Sequence, residues 1–158
     1  MTEPLPHLDI YTAATDPPAQ QRYNDLLIEQ FRTNAGKVTG QFADLPVLLL
    51  KTIGAKTGTT RTIPLVYFQD GDRYLIIASK AGAPTHPAWY HNLVANPAAS
   101  VELPNESFDV QARLTEGAER DRLFQKVVEH FPIYGGYQQK TGRIIPVMVL
   151  ERVAQIDA

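Results

Sequence analysis

The residues of this chain best suited to chemistry lie in one run, Gly54-Ala55-Lys56-Thr57-Gly58-Thr59-Thr60-Arg61-Thr62-Ile63-Pro64-Leu65. Its two glycines permit backbone angles closed to other residues, so successive N–H groups can turn toward one concavity. Lys56 adds a point charge, Thr57 a hydroxyl donor, and Arg61 a planar fork matched to phosphate or carboxylate. The chemistry such a set supports is the gripping of an anion. A solvated hairpin tip uses the same residue types simply because it faces water, and the local sequence leaves both readings open. A Walker loop is excluded by order, since that motif puts Lys-Ser/Thr directly after its second glycine and here Lys56-Thr57 precede Gly58. No GxGxxG dinucleotide fingerprint occurs.

Positioning these groups falls to the flanking runs. Val47-Leu48-Leu49-Leu50 is short and continuously apolar, which reads as a buried strand, and Leu65-Val66-Tyr67-Phe68 is β-prone as well. Asp70-Gly71-Asp72 is a turn signal leading to a strand over Arg73 to Ser79. Lys80 to Pro87 reads as a loop with two prolines, Ala88 to Val94 as a short helix closed by Asn96-Pro97, and Ser100 to Leu103 with Phe108 to Leu114 as a hairpin. Thr115 with Glu116 and Glu119 opens a helix whose Leu123, Phe124, Val127, Val128 and Phe131 share a face. Phe131 to Tyr137 is expected as a loop, and Arg143 to Leu150 as a last strand whose Pro146 implies an edge or a bulge.

Ahead of all this, Met1 to Thr15 shows no period and is expected to form a flexible arm, with residues 16–158 as a single domain. Asp16-Pro17-Pro18 reads as a helix start, Tyr23, Leu26, Leu27 and Phe31 as its apolar face, and Asn34-Ala35-Gly36 as its stop. Arg22 and Arg32 flank that face, as on a membrane-surface helix, but Asp25 and Glu29 dilute the positive charge, so packing on the chain's own core is expected. The fold class that follows is mainly β with peripheral helices: about six antiparallel strands in a barrel.

Composition narrows the function. A formal net charge of −2 argues against a nucleic-acid partner, which asks for a basic excess, so any anion site is local. With no cysteine there is no disulfide, thiolate metal site or cysteine nucleophile, which suits a cytoplasmic setting. No apolar run approaches the ~20 residues of a membrane span. His86 and His91 are five apart across Pro87, a poor match to a helical metal pair, so no metal is expected.

Three separated blocks, GAKTGTTRTIPLVY, ASKAGAPTHPAWYHNLVANP and FPIYGGYQQKTGRIIPV, together resemble the deazaflavin-dependent nitroreductase and quinone reductase family, whose members use reduced coenzyme F420 within a split β-barrel. The resemblance implies that Lys56, Thr57, Gly58 and Arg61 hold the coenzyme's phosphate and acidic tail, with Thr62 also among the cofactor-binding residues. It further implies that Pro64 and Leu65 lie along its ring system, that Ala78, Ser79, Lys80, Ala81 and Gly82 wrap its polar edge, and that Pro87, Ala88, Trp89 and Tyr90 complete the pocket. The acceptor, a small quinone-like or other electron-poor molecule, would sit among Tyr67, Trp89, Tyr134 and Tyr137, with hydroxyl donation from Tyr134, Tyr137 and Ser79. Where the family often has a further tyrosine this chain has Phe131. Two alternatives stand beside this reading: related split barrels bind FMN, and a protein of this kind can be a non-catalytic carrier of the same coenzyme. The sequence does not fix the oligomeric state; a homodimer is one option.

Overall fold

A computed structural model describes residues 17–39 and 45–153. The proposed arm, Asp16 and Gly40 lie outside the described residues. Among the described residues seven strands form one antiparallel sheet: β1 (Val47–Ile53), β2 (Thr60–Val66), β3 (Phe68–Asp70), β4 (Arg73–Ile77), β5 (Ala98–Glu102), β6 (Ser107–Leu114) and β7 (Val147–Arg152). Their spatial order is β2-β1-β5-β6-β7-β4-β3. The outermost strands, β2 and β3, are therefore neighbours in sequence with only Tyr67 between them. The chain can step from one border to the other in one residue only if the sheet curls until its borders come together at Tyr67, which is the split-barrel form. The single strand expected around Leu65 to Phe68 is in fact two, which accounts for the seventh. The β1–β2 register runs one residue past β2, the Tyr67 N–H donating to the Pro46 carbonyl at 3.0 Å, and the break falls immediately after it.

Among the described residues four helices lie around the sheet: α1 (Pro17–Thr33), α2 (Ala88–Ala95), α3 (Gly117–His130) and α4 (Ile133–Lys140). The period-2 alternation of the strands sorts side chains into an inner and an outer layer. Leu48 and Leu50 of β1, Tyr74 and Ile76 of β4, and Met148 and Leu150 of β7 point inward, where Trp89 and Leu93 of α2 join them. Leu75, Ile77, Val147 and Val149 point outward under α3 and α4, while Val47 and Leu49 point outward under Tyr23, Leu27 and Phe31 of α1. Removing a fully buried member such as Leu50 to alanine would cost about 2–5 kcal/mol. Leu26, expected on the buried face of α1, is 41% exposed; the i, i+4 row Tyr23-Leu27-Phe31 makes the contact instead.

Three local expectations are corrected. Phe131 to Tyr137 is not a loop: helix α4 begins at Ile133, and its Gly135 lets the backbone approach Val128 of α3, whose Cγ1 would lie 3.3 Å from an added Cβ. Arg143 to Pro146 is not strand, because β7 starts at Val147; β7 is also central, and Pro146 stands before it with its carbonyl accepting from the Ala78 N–H at 3.0 Å. Thr115 does not open α3, which begins at Gly117; its hydroxyl donates to the Val147 carbonyl at 2.8 Å instead.

Candidate active site

The glycine-bracketed turn between β1 and β2 is closed by its own backbone. The Gly54 N–H donates to the Thr59 carbonyl at 2.7 Å and the Gly58 N–H to the Gly54 carbonyl at 2.9 Å. Gly58 has φ +71, and a Cβ on Gly54 would lie 2.8 Å from Thr57 Oγ1 and 3.2 Å from the Thr59 carbonyl, so each glycine is required for a different reason. Thr57 Oγ1 accepts from the Thr59 N–H at 3.3 Å and lies 2.7 Å from Thr59 Oγ1, so the expected ligand donor also braces the turn. Lys56 and Arg61 are exposed and take no part in the ion pairs formed among the described residues.

Asn92 of α2 fixes this turn to the barrel. Its Oδ1 accepts from the Ala55 N–H at 3.0 Å, and its Nδ2 donates to Thr52 Oγ1 of β1 at 3.1 Å. The β1–β2 register pairs Thr52 with Arg61, Leu50 with Ile63 and Leu48 with Leu65, which puts Arg61 on the same face as the inward-pointing residues. Thr62 and Pro64 pair with Lys51 and Leu49 and fall on the α1 face, so of the expected Pro64 and Leu65 only Leu65 turns toward Trp89. An open groove of roughly 550 Å³ runs beside Arg61 between α1 and β2, lined also by Gln21, Asp25, Ile28 and Arg32.

On the other side of α2 the chain from Ala78 to His86 makes a left-handed turn. Lys80, Ala81 and Gly82 have φ of +47, +55 and +81, an unfavourable run for two non-glycine residues. One side chain holds it: Arg143 Nε donates to the Ala83 carbonyl (3.0 Å), Nη1 to the Ala78 carbonyl (3.1 Å), and Nη2 to the Ser79 carbonyl (2.8 Å). Nη1 also donates to His86 Nδ1 at 2.8 Å. The His86 ring stacks on Tyr90 at 4.3 Å between centroids, which carries the connection back to α2. Burial, then the Arg143 and His91 charges, hold the His86 pKa below its ordinary value.

The four aromatics expected around an acceptor fall into two pairs. Tyr67 and Trp89 belong to the inner layer, whereas Tyr134 and Tyr137 of α4 pack in the outer layer against Phe68. The 80–82 turn links the two, because Ala81 packs with Tyr137 and an added Cβ on Gly82 would lie 3.0 Å from the Tyr137 carbonyl. Burial, with Tyr137 second, raises the Tyr134 hydroxyl pKa well above the phenol range, and burial with Tyr74 second raises that of Tyr67. Both rings are thus held as neutral phenols. Ser79 and Pro87 are buried, Tyr90 and Lys80 half-buried, and Ala88 exposed.

A family profile described as F420H(2)-dependent quinone reductase matches residues 25–152. The chain belongs to the F420H(2)-dependent quinone reductase family. An F420H(2)-dependent quinone reductase of Mycobacterium tuberculosis is 48% identical over 110 residues, covering 68% of this chain and 74% of the relative. The solved structure of an F420-H2 dependent reductase, FDR-A, is 43% identical, with a TM-score of 0.62 over 67% of this chain and 94% of that one. A second solved structure, described as a domain-swapped dimer, is 38% identical with a TM-score of 0.63 over 87% of this chain and 98% of that one.

Membership in the F420H(2)-dependent quinone reductase family makes the chain an oxidoreductase with coenzyme F420 as its cofactor, and decides for F420 over FMN and for an enzyme over a carrier. The donor set fits a polyanionic coenzyme: two cations without ion pairs among the described residues beside a glycine turn, and a second turn whose Ala78, Ser79 and Ala83 carbonyls are taken by Arg143. Two residues at the centre of this arrangement were not picked out from the sequence. Asn92 is the one amide in the otherwise apolar and aromatic helix AWYHNLVA, and Arg143 is the charge that precedes an apolar run; the first is buried and the second half-buried, and buried polar atoms need built partners.

Proposed function

We propose that this chain binds reduced F420 between the Gly54–Thr59 turn and the Ala78–Gly82 turn and passes its hydride to a quinone-like acceptor, with nitro compounds as incidental substrates. The observation that carries the proposal is the Asn92 bridge, which joins the cation-bearing turn to the helix that supplies Trp89 and Tyr90. Reduced F420, when bound, supplies the hydride.

The chain's own residues then have separable tasks. Lys56 and Arg61 hold the coenzyme's negative charges, with the groove beside Arg61 and Arg32 receiving its acidic tail. Leu65 and Trp89 offer apolar surface for a flat ring. Hydride addition to a quinone builds negative charge on its oxygen, and a neutral phenol or serine hydroxyl can meet that charge. Tyr134 holds such a proton at its Oη, Ser79 can donate from the adjacent turn, and Phe68 packs edge-on against the Tyr134 ring. A cytoplasmic setting fits the cysteine-free sequence, and the 38%-identical domain-swapped dimer makes a homodimer the assembly to test.

The test is direct. Purified protein given reduced F420 and a menadione-type quinone should oxidise the coenzyme, and a Tyr134→Phe, Tyr137→Phe double variant should do so more slowly. Equal rates would remove both tyrosines from the mechanism, and no oxidation by the unaltered protein would remove the proposed reaction.

A further inference from the structure

We propose that Arg143 is a positioning residue for coenzyme binding: it turns the peptides of Ala78 and Ser79 so that the N–H groups of Ser79 and Lys80 are presented to the bound coenzyme. This rests on the reading that the Ala78–Gly82 turn lines the coenzyme site. A trans peptide carries its carbonyl and its N–H on opposite sides. The Ala78 carbonyl belongs to the same peptide unit as the Ser79 N–H, and the Ser79 carbonyl to the same unit as the Lys80 N–H. Arg143 binds both carbonyls, at 3.1 and 2.8 Å, so both N–H groups point away from it.

These N–H groups have no acceptor among the described residues; the hydrogen bonds inside the turn run from the Gly82 N–H to the Ser79 carbonyl and from the Ala83 N–H to the Lys80 carbonyl, each at 3.0 Å. Ser79 is in the right-handed region at φ −79, ψ −39 and Lys80 in the left-handed region at φ +47, the alternation that makes neighbouring N–H groups converge on one point. The Ser79 carbonyl accepts from both Arg143 and Gly82, and a carbonyl engaged by a cation polarises its own peptide, which strengthens the N–H at the other end.

Arg143 is itself held in place. Gln138 Nε2 donates to the Arg143 carbonyl at 2.7 Å, and Gln138 Oε1 accepts from the Ile145 N–H at 2.9 Å and from Arg120 Nη2 at 2.8 Å. Among the described residues no carboxylate pairs with the guanidinium; its partners are carbonyls and the His86 ring. A lysine there keeps the charge but cannot reach several carbonyls in a fixed plane.

The experiment compares Arg143→Lys and Arg143→Gln with the unaltered protein, reading thermal midpoint and F420 affinity by tryptophan fluorescence. Both variants should bind F420 at least tenfold more weakly at a temperature where they are fully folded, and Arg143→Lys should not recover the loss although it keeps the charge. In the unaltered protein, saturating F420 should slow hydrogen exchange at the Ser79 and Lys80 amides. Unchanged affinity in Arg143→Lys, or amides that exchange as fast with F420 bound as without it, overturns the assignment; the exchange arm stands even if the variants fail to fold. Failure of the unaltered protein to bind F420 at all is a different result: it removes the function proposal on which the assignment rests.

Discussion

Asn92 and Ala55, 37 positions apart, are joined by one hydrogen bond of 3.0 Å, and the same Asn92 amide reaches the buried Thr52 hydroxyl at 3.1 Å. A single side chain therefore sets how the cation-bearing turn sits against α2. Asn92→Ala would leave the Thr52 hydroxyl without its partner inside the protein, at a cost of about 1–3 kcal/mol. Chemical denaturation should show that loss, and F420 titration should show weaker binding beyond it, because the turn is no longer held to the helix.

Lys56→Ala and Arg61→Ala should separate binding from stability. Both side chains are exposed and without ion pairs among the described residues, so folding stability should change by less than ~0.5 kcal/mol. Loss of a charge-assisted contact should weaken F420 binding by about 1.5–3 kcal/mol, and the remaining affinity should depend less steeply on salt. Titrations at several ionic strengths check both; unchanged affinity in both variants would end the gripping role.

Acid should loosen the 78–86 turn through His86. Arginine only donates, so His86 Nδ1 must accept, which requires that nitrogen to be unprotonated. The groups facing His86 are Arg143, His91 and Tyr90. Its folded pKa lies below the ordinary 6.5, so its contribution is fully present above that value and is lost as pH falls through the lower folded pKa. F420 affinity measured from about pH 8 down to about pH 5 should fall at the acid end, and His86→Asn, which keeps an acceptor without a titrating ring, should flatten the profile.

Gly82 is the tightest point between the turn and α4. Its φ of +81 and the 3.0 Å approach of the Tyr137 carbonyl leave no room for a side chain. Gly82→Ala should cost about 1–3 kcal/mol in backbone strain and displace α4, lowering both the thermal midpoint and quinone turnover. A midpoint within error of the unaltered protein would show that the turn can relax without moving α4.

Much of this architecture was legible in the sequence where local chemistry and pattern agree. The apolar run at Val47, the Asp70-Gly71-Asp72 turn and the Asn34-Ala35-Gly36 stop each have a local cause, and each stands where expected: Gly36, at φ +85, donates to the Phe31 carbonyl at 2.8 Å. The misses have non-local causes. Gly135-Gly136 reads as a helix breaker, but α4 uses Gly135 to approach Val128, a contact that no window around residue 135 reveals. The apolar run after Arg143 reads as strand from its first residue, yet Arg143 is drawn out of the sheet by carbonyls more than 55 positions away. For the candidate site, residue types indicated the anion turn, but the split of the aromatics into inner and outer pairs depends on the parity of Tyr67 and Phe68, which follows from where the strand breaks.

The one-residue step at Tyr67 has a mechanical consequence. Everywhere else around the barrel wall, neighbouring strands are stitched by ladder hydrogen bonds, but β2 and β3 are not paired with each other. Between β2 and β3 the wall is joined only through the chain at Tyr67, so widening it there breaks no strand pairing, whereas parting at any other place would rupture a whole ladder. Tyr67 is the one residue that spans that gap.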